Sequence, residues 1–126
     1  MNMTIEFLHK AQENLKAAHL CFENELYNAC ANRIYYAALH AAVAAIAAQG
    51  IEQAKIDHKQ VQSDFNGRLI YRQKRYPAKF KSYLPDMQVI RNQADYKMES
   101  ISSKVAERWL SRANEMVTWI EKEIQG

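Results

Sequence analysis

Three features of this 126-residue chain imply an all-α fold, an antiparallel bundle of four or five helices. Apolar residues recur three and four positions apart through several long segments, the period of a helix that buries one face. Only three Gly and two Pro interrupt them. No stretch alternates apolar and polar residues long enough to make a strand.

Leu8, Ala11, Leu15, Ala18 and Phe22 form one face of a first helix. A second is expected from about Tyr27 to Gln49, ending at Gly50, which suits the left-handed C′ position. Its stripe is Tyr35, Leu39, Ala42, Val43 and Ile46, and the alanines on its other sides imply close approach of neighbouring helices. Asp57 is the expected N-cap of a third helix carrying Val61, Phe65 and Leu69, which ends between Gly67 and Tyr76. A fourth is expected over Lys79 to Lys97, with Pro85 either kinking it or marking where its main part begins. The last opens at Ser102 or Ser103 and runs to about Ile124. It carries two stripes, one of Ala106, Leu110, Ala113, Val117, Ile120 and Ile124, the other of Val105, Trp109, Met116 and Trp119. Such a helix is either central in the bundle or at a dimer interface.

The length suits one domain spanning 1–126, and an apolar content of 48% argues against disorder. Glu6 and Lys10 break any apolar leader, and the small-residue run 41–49 is far short of the ~20 residues of a membrane span. A soluble, cytoplasmic protein without a membrane anchor is expected. Cys21 and Cys30 form no metal-spaced cluster, so neither a metal nor a cofactor has a candidate site, and a disulfide is the less favoured reading. The net charge of +3 is uneven. Between Asp64 and Asp86 there is no acid, while Arg68, Arg72, Lys74, Arg75, Lys79 and Lys81 all fall there, interleaved with Tyr71, Tyr76, Phe80 and Tyr83. Cations neutralise phosphates and rings stack on unpaired bases, so this segment is a candidate RNA contact through Arg68, Arg72 and Arg75. A solvated loop with its tyrosines folded onto the bundle, or a dock for an acidic protein, explains it equally well.

The blocks NACANRIYYAALHAAVAAIAAQG (28–50), DHKQVQSDF (57–65), IRNQADY (90–96) and AERWLSRANEMVTWIEKEI (106–124) resemble the HEPN family of small helical domains. The particular likeness is to its branch with an Arg-x-x-Ala-Asp-Tyr motif. The resemblance implies an antiparallel bundle, commonly a homodimer. Many members are metal-independent endoribonucleases, often toxins encoded beside a small nucleotidyltransferase antitoxin, whereas others bind nucleotides or are non-catalytic accessory domains. The ribonuclease motif places its Arg on Arg91 and its polar residue on Asn92; its His position is occupied here by Tyr96.

Arg91 suits a phosphate and Asn92 can orient a ribose or phosphate oxygen. With an ordinary pKa near 10, a tyrosine is a donor and a poor base, since only about 0.1% is ionised at neutral pH. On a straight helix, positions five apart point about 140° away from each other. Arg91 and Tyr96 are therefore expected to meet only if the helix ends between them or a partner subunit completes the cleft. The structural alternative places Leu84, Met87, Arg91, Ala94, Asp95 and Met98 on one face, with Arg91–Asp95 as an internal ion pair. Arg33, Tyr36 and His40 make a polar stripe on the second helix: either they line a cleft with Arg91, or His40 simply hydrogen-bonds a neighbouring helix. His58 is either a cap residue or a ligand contact, and His9 and His19 have no evident partner. The expected function is RNA or nucleotide binding in a toxin–antitoxin or defence-type pair with a nucleotidyltransferase. Were the chain an endoribonuclease, Arg91, Asn92 and Tyr96 would be catalytic, with Arg33, Tyr36, His40, Arg68, Arg72, Arg75 and Asp95 binding the ligand. The rival is a non-catalytic interaction domain.

Overall fold

The computed structural model describes residues 2–126. Five α-helices, α1 (Met3–Glu23), α2 (Tyr27–Ala47), α3 (His58–Asp64), α4 (Tyr83–Tyr96) and α5 (Ser103–Gln125), pack around one apolar core. A π-helix, Phe65–Arg72, continues α3, and a 3₁₀ turn, Ala78–Ser82, leads into α4.

Local signals set most boundaries. Asn2, Asp57 and Ser102 each accept the backbone N–H three residues on, at 3.1, 3.0 and 3.2 Å, which caps α1, α3 and α5. The turn after α1 places Glu25 in the left-handed region (φ 60°), with Leu26 N–H donating to the Cys21 carbonyl at 2.8 Å. Beyond α2, Gly50 takes φ 86° while Ile51 N–H reaches the Ile46 carbonyl at 3.4 Å, so it fills the expected C′ role.

Helix α2 is the axis of the bundle, packing against α1, α4 and α5, with 14 of its 21 residues buried. Ala37, Ala38, Ala41, Ala42 and Ala45 lie on several sides of it, and their small side chains let neighbours approach closely. Helix α5 buries both its stripes within one chain. Ala106, Ala113, Val117 and Ile120 enter the central core, while Trp109 meets Tyr83 edge-on at 6.0 Å and Trp119 meets Phe80 at 6.0 Å. Ile124 is only partly buried and Trp119 keeps 43% of its surface exposed.

The third helix ends within its expected range but changes character partway, and the fourth takes one of its two expected forms. Continued as an α-helix, α3 would align Arg72 with Phe65 in the buried stripe, because seven residues make two turns. The i→i+5 turn of the π segment advances each residue by roughly 80° instead of 100°, which carries Arg68 and Arg72 round to solvent while Phe65, Leu69 and Ile70 stay buried. Two residues past the end of the segment, Lys74 is left-handed at φ 51°. Of the two roles expected for Pro85, it marks where the main helix begins: it sits in the first turn of α4, where its missing N–H costs nothing, and the 3₁₀ turn Ala78–Ser82 precedes it. Met98 lies past the end of α4 and is fully exposed, so it leaves the apolar face expected for it. Among the described residues no helix is long and apolar enough to cross a membrane.

Candidate phosphate-binding site

One hydrogen-bonded chain of polar side chains joins α1, α2 and α4. Asn14 occupies the packing face of α1, among Ala11, Leu15 and Ala18. Its Oδ1 accepts from Arg33 Nη1 at 2.6 Å, while its Nδ2 donates to His40 Nδ1 at 3.1 Å and to the Lys10 carbonyl at 2.9 Å. Because Arg33 can only donate, the amide orientation is fixed, His40 Nδ1 is the acceptor and its proton sits on Nε2. Arg33 also donates from Nε and Nη2 to Asn32 Oδ1, at 3.1 and 2.5 Å. Asn32 Nδ2 donates to Asp95 Oδ2 at 3.1 Å, and the same oxygen accepts from Arg91 Nε at 3.1 Å.

Tyr36 stands where the two arginines converge. Its ring centre lies 5.3 Å from the Arg33 guanidinium carbon and 5.5 Å from that of Arg91, within cation–π range. Arg91 also lies 5.9 Å from the rings of Tyr35 and Tyr96. Three rings and one carboxylate thus hold Arg91 in place. Its Nη1 and Nη2 make no hydrogen bond to any described residue, whereas all three nitrogens of Arg33 are engaged within the fold.

The two histidines are spoken for by the fold. Burial, with Lys10, Arg33 and His58 adding positive charge nearby, pushes the His40 pKa down to about 4. The ring is therefore neutral at pH 7, and its one lone pair already faces Asn14. His58 follows the N-cap Asp57, and its Nδ1 lies 2.9 Å from the hydroxyl of buried Tyr35. His19 does have a partner, Asn114 Oδ1 of α5 at 3.0 Å, a contact between helices that sequence spacing cannot reveal.

The anticipated residues fall into three places. Arg33, Tyr36, His40, Arg91, Asp95 and Tyr96 come together. Arg91 and Tyr96 approach although α4 runs unbroken through both, because the long arginine side chain spans the turn and Tyr96 is the last helical residue. Asn92 does not join them. One residue on from Arg91, it points about 100° round the helix, into a shallow groove lined by Val89, Gln93 and Met98.

The basic segment is a separate region. Arg68 pairs with Asp64 at 3.5 Å, Arg75 with Glu123 at 3.5 Å, and Lys79 with Glu115, while Arg72 is exposed. The interleaved aromatics are not four stacking platforms. Tyr76, Phe80 and Tyr83 are buried in a ring column with Phe65 and Trp109, and only Tyr71 is exposed. Asn14 and Asn32 were missed in the sequence; the available signal was a polar amide inside the apolar face of α1.

Among the described residues no three His, Cys, Asp or Glu side chains gather into a metal-holding group. No curated protein matches the sequence. The pattern of the HEPN domain family does match it, over residues 5–124, and the chain belongs to that family.

Proposed function

We propose that this HEPN domain binds RNA or a nucleotide, and that Arg91 is the residue that takes its phosphate. The supporting observation is that Arg91 is preorganised and half-used. Asp95 holds Nε, three tyrosine rings hold the guanidinium plane, and the two terminal nitrogens stay free for a bidentate contact to phosphate oxygens. Arg33 adds positive charge beside it, and Asn32 ties the two arginines together through Asp95. In this reading Tyr36 packs against the ligand and His40 is a positioning residue rather than a base.

Binding is favoured over cleavage because the imidazoles of this cluster, His40 and His58, are engaged within the fold. His40 offers its lone pair to Asn14, Tyr96 is 73% exposed, and Asn92 faces another groove. The contact of Arg91 with Tyr96 supports a second reading, a metal-independent endoribonuclease with Tyr96 as proton donor. The family likeness also carries a homodimer and a nucleotidyltransferase partner into the proposal, as a toxin–antitoxin or defence-type pair.

Titration of a nucleoside triphosphate and of a fluorescent oligoribonucleotide tests the binding site. Arg91→Ala should weaken both roughly tenfold or more, the loss of a charge-assisted bidentate contact, and Arg91→Lys should recover only part. Unchanged affinity in Arg91→Ala refutes the assignment. Cleavage of a mixed RNA in EDTA, present in wild type and abolished in both Arg91→Ala and Tyr96→Phe, would instead establish the ribonuclease. Sedimentation and co-purification with the adjacently encoded nucleotidyltransferase, where one exists, test the assembly.

A further inference from the structure

A second groove lies at the end of the π-helix, formed by Ile70, Tyr71, Lys74, Tyr76, Ala78 and Lys81, with a volume of about 560 Å³. That volume is within the range of small-ligand sites. Its floor is apolar, from Ile70 and Tyr76, both buried. Its rim is aromatic and cationic. Tyr71 is 72% exposed, and the Lys81 ammonium stands 6.0 Å from the centre of its ring.

Local charge balance leaves these lysines, like Arg72, uncompensated. Arg68, Arg75 and Lys79 are each paired with a carboxylate, on Asp64, Glu123 and Glu115. Lys74 and Lys81 have no carboxylate partner among the described residues, and residues 65–85 contain no acid to supply one. Lys74 also holds a left-handed backbone, φ 51°, a conformation that costs a residue with a Cβ about 1–2 kcal/mol and that glycine would adopt freely. The Lys74 side chain thus lines the groove from a strained backbone position.

We infer that this groove is a base-and-phosphate subsite for single-stranded RNA, with a base stacked on Tyr71 and the flanking phosphates neutralised by Lys74 and Lys81. An exposed ring beside two uncompensated ammonium groups matches the repeating unit of an unpaired strand, one flat apolar face and one anion per nucleotide. An acidic protein segment would satisfy the lysines but leave the ring without a specific role. The subsite is distinct from Arg91. It rests on the RNA branch of the proposed function, and the experiment separates the two.

The test is fluorescence anisotropy with an unstructured, fluorescein-labelled oligoribonucleotide over a salt series, using the full chain. Tyr71→Ala should weaken binding roughly tenfold, the worth of one base–aromatic stack, and Tyr71→Phe should retain it. Lys74→Gly removes the charge while suiting the left-handed backbone, so it folds; with Lys81→Gln it should lower the salt slope by about 0.7 per lysine. Affinity for a nucleoside triphosphate at Arg91 should be unchanged in all of these. Equal binding by Tyr71→Ala and Tyr71→Phe overturns the stacking role, and an unchanged salt slope in the double lysine variant overturns the phosphate role. Triphosphate binding that needs Arg91, with no RNA binding at all, overturns this subsite and leaves the Arg91 site standing. RNA binding that needs Tyr71 but not Arg91 does the reverse.

Discussion

His40 makes the fold sensitive to acid, and the effect can be sized. Its pKa falls from 6.5 to about 4 through burial first, then through the charges of Lys10 on α1, Arg33 on α2 and His58 at the start of α3. Protonating it in the fold therefore costs ~3 kcal/mol more than in the unfolded chain, at ~1.4 kcal/mol per tenfold. The ring is partly exposed, and water at its edge screens this to ~1–2 kcal/mol. The folded pKa is the lower one, so the unfolded chain binds the extra proton. Stability is undiminished above pH 6.5, falls as pH drops toward about 4, and loses nothing further from this group below that. Protonation would also put a proton on Nδ1, which then points a donor at the Asn14 Nδ2 donor 3.1 Å away. The variant to compare is His40→Gln, which cannot titrate and can still accept from Asn14. Urea unfolding at intervals between about pH 7.5 and 4.5 should show wild type losing ~1–2 kcal/mol more than the variant over that window. Carboxylates that titrate in both proteins cancel in the difference. Parallel curves for the two proteins would refute the lowered pKa of His40.

Arg91→Ala should cost ~1–2 kcal/mol, since the Arg91 and Asp95 side chains keep 18% and 26% exposure and the pair is shielded rather than sealed. A loss of ~4 kcal/mol by urea titration would show Arg91 to be foremost a structural residue. Ala41→Leu, at a position with no exposure on α2, should destabilise by ~1–3 kcal/mol or prevent folding, whereas Ala29→Leu on its exposed face should be near neutral; thermal melts of the two variants check this. Tyr83→Phe removes a buried hydroxyl that donates to Glu115 at 2.8 Å and should cost ~1 kcal/mol by urea unfolding. Glu115 keeps its bond to Lys79 in that variant, which limits the loss.

Much of the architecture is local and was readable along the chain. Helix periods, the caps at Asp57 and Ser102, and Gly50 as a left-handed stop depend on residues within one or two turns of each other. So does the Arg91–Asp95 pair, which needs only spacing on one helix. The doubly striped α5 was also legible, but what covers each stripe was not. Trp109 and Trp119 of the second lie against Tyr83 and Phe80, which arrive from the start of α4 and the 3₁₀ turn within the same chain. The π segment was hidden for a similar reason. Spacing alone left the end of the third helix open between Gly67 and Tyr76, and the wider π turn is what rotates Arg72 away from the buried stripe. The candidate site belongs almost wholly to tertiary structure. Asn14, Arg33, Asn32 and Asp95 come from three helices, and they connect only because α1, α2 and α4 pack in one register. Helix period says which residues share a face. It does not say how far one helix slides along another, and a single turn of sliding, about 5.4 Å, would break the bonds that cross between helices, Asn14 to Arg33 and His40 and Asn32 to Asp95.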